Sequence, residues 1–230
     1  MKFTFKIGQK IKETWPIYKA NFSTILILIA ITIVTKFIGS DSHNWGLVIV
    51  SYVISILISY IWIRFILGLI DKKDFNPFSR KSLPSFKRFW NLLTTLILSG
   101  LCILGGFILL IIPGFYIIGR LIFSVYISVD KNKDGVASVK ESWNMTKGYG
   151  WNLFWKGLLI SLFIILGYIA FLVGALITYP IGIMVMAMMY REFSKIKSHH
   201  LEHSPTLNKN YLVKEVTEED IKEGIPEIKG

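Results

Sequence analysis

Carboxylates are scarce in this sequence and unevenly placed. Of its 15 Asp and Glu residues, eight follow Tyr190, and none falls in the apolar stretches that make up most of the preceding chain. A proton relay or cation site built on intramembrane carboxylates is thereby excluded. Cys102 stands alone, so there is no intrachain disulfide and no cysteine spacing for a metal. Neither a Gly-rich phosphate loop nor a nucleophile elbow is present. With no catalytic constellation, cofactor motif or metal set, the expectation is a protein that is not an enzyme. Charged residues amount to only 18%, against 53% hydrophobic residues and a mean hydropathy of +0.52. A bilayer accommodates that balance better than water does.

The apolar residues come in blocks. No charge occurs from Phe89 to Gly119, and none from Gly157 to Tyr190. A span needs roughly 20 residues, and the blocks read as spans at 22–39, 46–70, 91–112, 115–129, 151–172 and 174–191. The first apolar run, Phe22 to Thr35, lacks a cleavage pattern and is expected to remain as an anchor. Ile112-Pro113-Gly114 predicts an outer turn between the third and fourth spans, because Pro cannot donate a helical hydrogen bond and Gly permits a sharp reversal.

The net charge is +11, yet nucleic acid is not the expected partner. From Arg191 onward seven basic side chains meet eight acidic ones, so the excess lies in the short loops between spans. Lys2 to Lys19, Lys72 to Arg88 and Lys131 to Lys147 are lysine-rich, while Ser40 to Trp45 holds neither Lys nor Arg. Positive loops stay inside, which predicts an all-α integral membrane protein of six helices with both termini in the cytoplasm. Anionic headgroups are the natural partner of its lysines. Residues 1–190 read as the membrane domain and 191–230 as a flexible cytoplasmic tail, with one short helix around Glu215 to Glu223.

Ile11-Lys12-Glu13-Thr14-Trp15-Pro16-Ile17-Tyr18-Lys19-Ala20 aligns without gaps on Val139-Lys140-Glu141-Ser142-Trp143-Asn144-Met145-Thr146-Lys147-Gly148. Each copy precedes two apolar runs, so the expectation is a parallel internal repeat about an axis along the membrane normal. Both segments, 1–22 and 134–148, read as amphipathic interfacial helices. In the first, Ile7, Ile11, Trp15, Tyr18 and Phe22 share a face, and Pro16 should kink the helix or restart it. In the second, Val136, Val139 and Trp143 share a face, with Asp134 as the cap and Gly148 at the end.

Candidate binding residues follow from charge in apolar surroundings. Arg64 lies in the inner half of its span, and Arg120, soon after the Pro113-Gly114 turn, reads as nearer the outer face. Each has a structural reading, as a headgroup anchor or a bond to a helix carbonyl, and a functional one, on a substrate or ion pathway. Lys156 reads as a snorkelling anchor. Trp15, Lys12 and Lys19 in one repeat, and Trp143, Lys140 and Lys147 in the other, are candidate lipid or partner contacts at the cytoplasmic interface. His199, His200 and His203 include a His-x-x-Glu-His order, but a catalytic zinc also needs a third ligand and a cleft.

Ile112-Pro113-Gly114, Arg120, Asp130 after Tyr126-Ile127-Ser128-Val129, Ser142 to Gly148, Tyr190-Arg191 and the N-terminal Ile7-Gly8 together resemble a broad group of bacterial integral membrane proteins. That group includes the membrane domain attached to some glycerophosphodiester phosphodiesterases. The resemblance implies a six-span domain of the bacterial cytoplasmic membrane without hydrolase chemistry of its own, and no fused catalytic domain is seen in this chain. Two functions stay open: a scaffold or accessory subunit binding a protein at the cytoplasmic face, and a protein that binds or moves a lipid or other anionic amphiphile. Cysteines placed singly at Ser42 and Ser79, with Cys102 removed, should react with an impermeant thiol reagent in intact cells at Ser42 only. Labelling of Ser79 overturns the orientation.

Overall fold

The structure, a computed structural model, describes residues 5–40, 45–73, 75–169 and 171–202. Among them the regular elements are helices, with no strand: α1 Ile7–Ala20, α2 Phe22–Ser40, α3 Trp45–Ile70, α4 Phe86–Leu109, α5 Ile111–Leu121, α6 Ser124–Lys131, α7 Gly135–Met145, α8 Gly150–Ile169 and α9 Phe171–Glu202. The chain forms two compact units, Met1–Tyr190 and Arg191–Gly230. In the second, α9 stays helical to Glu202, further than a tail starting at Arg191 predicts; the helix expected around Glu215 lies outside the described residues.

Trp45–Ile70, Phe86–Leu109, Ile111–Lys131 and Gly150–Ile169 are each long and apolar enough to cross a membrane. The pair α1 and α2, bent by 90°, makes a fifth if it is taken as one broken span. These helices have the character of a membrane protein.

The breaks fall beside the residues that signal them. Between α4 and α5 a single extended residue, Leu110 (φ −166°, ψ 150°), reverses the chain. Pro113 follows in the first turn of α5, where its missing N–H costs nothing because first-turn amides have no helical acceptor. Gly106 and Gly114 let the two helices close: a Cβ on Gly106 would stand 3.1 Å from the Gly114 Cα. At the tip, Ile108, Leu109, Leu110, Ile111 and Ile112 are all exposed.

No break or restart of the helix falls at Pro16. α1 runs through Pro16, and the chain bends at Asn21 instead. Pro16 and Lys12 are both exposed, so the Lys12 carbonyl that Pro16 cannot serve lies on the exposed side of the helix. Asn21 takes over the end of α1 by donating its amide Nδ2 to the Ile17 carbonyl at 3.0 Å. Pro180, inside α9, has another solution. The carbonyl it deprives, four residues back at Leu176, accepts the Tyr18 hydroxyl of α1 at 3.4 Å.

The α2–α3 pair is linked by Trp62, whose indole N–H donates to Thr32 Oγ1 at 3.3 Å. The Trp62 ring also meets Tyr179 of α9 edge-on, at 6.0 Å between centroids. α8 and α9 form a hairpin: a Cβ on Gly167 would collide with Thr178, and one on Gly182 with Ile164. Further from the tip, Gly157 faces Met186. α5 packs as tightly on the start of α8, since a Cβ on Gly119 would come within 2.0 Å of the Gly150 carbonyl oxygen.

These contacts predict opposite responses at two glycines. Gly119→Ala should lower stability by about 1–3 kcal/mol, because the backbone of α8 must move aside. Gly100→Ala, with nothing within 4 Å, should leave stability unchanged or raise it by up to about 1 kcal/mol through helix propensity. Thermal unfolding of both variants in one detergent makes the comparison.

Candidate functional site

The break at Ile122–Phe123, where α5 gives way to α6, leaves the last carbonyls of α5 without helical donors. α7 supplies replacements: Ser142 Oγ and Thr146 Oγ1 each donate to the Arg120 carbonyl at 2.9 Å. The Arg120 side chain engages the same helix from another direction. Its guanidinium donates to the Trp143 carbonyl and lies 4.3 Å from the Trp143 ring centroid. A second nitrogen donates to the Tyr116 hydroxyl at 3.1 Å. Arg120 is 4% exposed, and among the described residues it has no carboxylate partner. Its charge meets a helix C-terminus and an indole face, both of which favour a cation. Of the two readings the sequence allows, this is the bond to a helix carbonyl.

The contact also corrects a placement. Arg120 was expected nearer the outer face and Trp143 at the cytoplasmic interface, yet the two touch. Arg120 and Trp143 therefore lie at one level, and the two placements cannot both hold.

The buried face of α7 is Gly135, Ser138, Ser142 and Met145, whereas Val136 (64%) and Trp143 (39%) are exposed. Val136 and Trp143, grouped on one face by their spacing, both lie outward, so the contact with α4 is not made by large apolar side chains. Close approach selects small ones instead, because a Cβ on Gly135 would come within 2.7 Å of the Thr94 backbone on α4. Asp134 stands at the N-cap position of α7 but makes no side-chain cap bond. Gly148 adopts φ +83° in the turn into α8. Glu141, beside Ser142 in the C-terminal half of α7, ties the helix back to the α6 turn, where Asn132 adopts φ 52°. Glu141 accepts a hydrogen bond from Lys131 at 2.7 Å and pairs with Lys133 at 2.9 Å. Burial pushes the Glu141 carboxyl up, but the two lysines outweigh it and hold it below the ordinary glutamate range.

Val136, Lys140 and Trp143 thus form an outward set at helical spacing on α7, with Lys140 exposed, and exposed Lys147 lies in the turn after it. Arg64 is separate from it. It is half-buried, with its guanidinium 5.7 Å from the ring of Phe75 in the loop after α3. Lys156 lies 6.0 Å from the Phe5 ring.

Trp15 lies elsewhere again. It stacks on Tyr18 at 5.8 Å and carries Lys19 Nζ 5.2 Å from its ring centroid. The buried residues of α1 are Thr14 and Tyr18, so Trp15 and Phe22 flank the packed face and do not form its centre. Thr14 and Ser142, Trp15 and Trp143, and Tyr18 and Thr146 match in burial pair by pair. Their neighbours do not match. Trp143 adjoins Arg120 and the start of α8, whereas Trp15 and Tyr18 adjoin Leu176, near the tip of the α8–α9 hairpin. Phe5 lies beside Lys156 and Tyr18 beside Leu176, so α1 runs along that hairpin. The likeness of the two segments extends to burial and not to the neighbours they meet.

Among the described residues no group of three or more His, Cys, Asp or Glu side chains could hold a metal ion; His199 and His200 fall in α9, and His203 lies outside the described residues. Sequence reasoning missed Tyr116, Ser142 and Thr146 as partners of Arg120, and the hydrogen bond from Tyr190 to Asp130 at 2.9 Å. The spacing of Ser138, Ser142 and Thr146 on one face was the available signal. No family model, curated protein or solved structure matches the chain.

Arg120→Leu should leave membrane insertion intact but cost about 1.5–3 kcal/mol, the range for a hydrogen bond to a charged group. Faster amide exchange confined to α7 is the expected signature, with Arg120→Lys recovering part of the protection. At Glu141 the stabilisation is complete above the ordinary carboxyl pKa, about 4.3, and disappears as pH falls through the lowered folded value. Protection of the α6–α7 turn should hold at neutral pH and fall below about pH 4. Glu141→Gln should show weaker protection with no such fall.

Proposed function

We propose that this is a non-enzymatic, six-span protein of a bacterial cytoplasmic membrane, with both termini inside, that serves as a scaffold or accessory subunit and docks a protein partner on α7. The observation that carries this reading is the outward set of Val136, Lys140 and Trp143 on a helix held in its C-terminal half, by Arg120 at Trp143 and by the pairs of Lys131 and Lys133 with Glu141, with Lys147 in the turn that follows. An aromatic side chain flanked by cations on a rigid element suits a partner surface, because little side-chain freedom is lost on binding. The six spans are the four long helices together with α2 and the apolar part of α9. The lipid-transport reading loses its better arginine, since Arg120 is spent on α7.

Keeping residues 2–19 and 131–147 on one side of the bilayer requires α8–α9 to cross it obliquely, because Trp15 and Trp143 adjoin opposite ends of that hairpin. An upright α8–α9 pair would instead abolish the parallel repeat.

A photo-crosslinker at Lys140 or Lys147 in cells should give protein adducts, while the same probe at the exposed α4 residue Leu101 should give lipid adducts only. Lipid adducts alone at all three positions would dismiss the docking role.

A further inference from the structure

The groove between α1, the start of α2 and α9 has a volume of about 420 Å³ and is lined by Trp15, Tyr18, Lys19, Phe22, Leu176 and Ile177. Its lining is aromatic and aliphatic apart from Lys19 and the Tyr18 hydroxyl. That hydroxyl is already committed to the Leu176 carbonyl freed by Pro180, and the link joins the two walls. What remains is an apolar trough with one cation at its rim. Among the described residues Lys19 makes no ion pair; its Nζ rests 5.2 Å from the Trp15 ring centroid. Trp15 (40%) and Phe22 (43%) stay exposed, and Phe22 begins an apolar helix. The trough is thus continuous with a surface that lipid covers.

We propose that this groove holds one phospholipid with an anionic headgroup, its acyl chain against Phe22, Leu176 and Ile177 and its phosphate at Lys19. The chemistry separates this occupant from others. A free anion needs several converging donors, and only Lys19 is present. A peptide needs backbone partners, and the walls are helices whose one open carbonyl is taken. An amphiphile matches both parts, with apolar surface for the chain and an ammonium for the phosphate, while Trp and Tyr are the side chains that favour the headgroup level. The assignment does not rest on the docking role of α7.

The test uses the full chain with every tryptophan except Trp15 replaced by Phe, reconstituted in phosphatidylcholine bilayers. Brominated phosphatidylglycerol or brominated phosphatidylcholine is then titrated in. Phosphatidylglycerol should quench Trp15 at about a fivefold lower mole fraction, the factor expected for one lysine at headgroup level. Lys19→Gln should erase that preference and Lys147→Gln should keep it, while soluble glycerol phosphate should not reverse the quenching. With all tryptophans retained, native mass spectrometry from mixed-lipid nanodiscs should show more bound phosphatidylglycerol on the parent than on Lys19→Gln. Equal quenching by the two lipids in the parent, a preference that survives Lys19→Gln, or quenching by aqueous iodide that neither lipid diminishes would each overturn the proposal.

Discussion

The Arg120 carbonyl accepts two hydroxyls of α7 while its guanidinium donates to a third group of the same helix, so one residue restrains α7 from both its main chain and its side chain. The arrangement depends on a defect. Where α5 breaks at Ile122–Phe123 the helical ladder lapses, and a buried carbonyl without a donor costs on the order of 1–3 kcal/mol. Ser142 and Thr146 remove that cost, and the bonds that do so are the ones that orient α7. In an unbroken helix the same carbonyl would already hold a backbone donor, and the hydroxyls of Ser142 and Thr146 would have less to gain by meeting it.

The same economy recurs at Pro180. A proline inside a helix leaves one acceptor open, and in apolar surroundings the acceptor must be filled from another element. Tyr18 fills it, which ties α1 to α9 over a long sequence separation. Glycines set how near such partners come: Gly119, Gly135 and Gly150 lie where helices nearly touch. Bulky residues are displaced to the outside. Trp143 and Val136 face outward because the inner side of α7 has no room for them.

The apolar segments were legible because a helix in lipid announces itself by composition alone, without any need for periodicity. Proline positions were legible as signals but not as locations. Pro113 sits one turn into the helix it helps to begin, so the reversal falls earlier, at Leu110, and Pro16 sits on an exposed face where its missing bond is cheap. The Arg120 junction was not legible, since hydroxyl-to-carbonyl bonds join residues whose types also suit solvated surfaces. Nor could lysine and tryptophan tell the two segments apart. Such residues mark an interface without saying which neighbours they will meet, and only the hairpin contacts place Trp15 and Trp143 at different ends.

The α4–α5 reversal is made by one extended residue and carries five exposed aliphatic side chains at its apex. Water would solvate such an apex at a cost of roughly 25 cal/mol for each Å² of apolar surface, so a bilayer surface suits it better than bulk water. Nothing there resembles an anchor. The same hairpin is held below its apex, where Gly119 of α5 lies against the Gly150 backbone of α8 and Thr94 of α4 against Gly135 of α7, so a displacement of the apex is resisted at those two contacts.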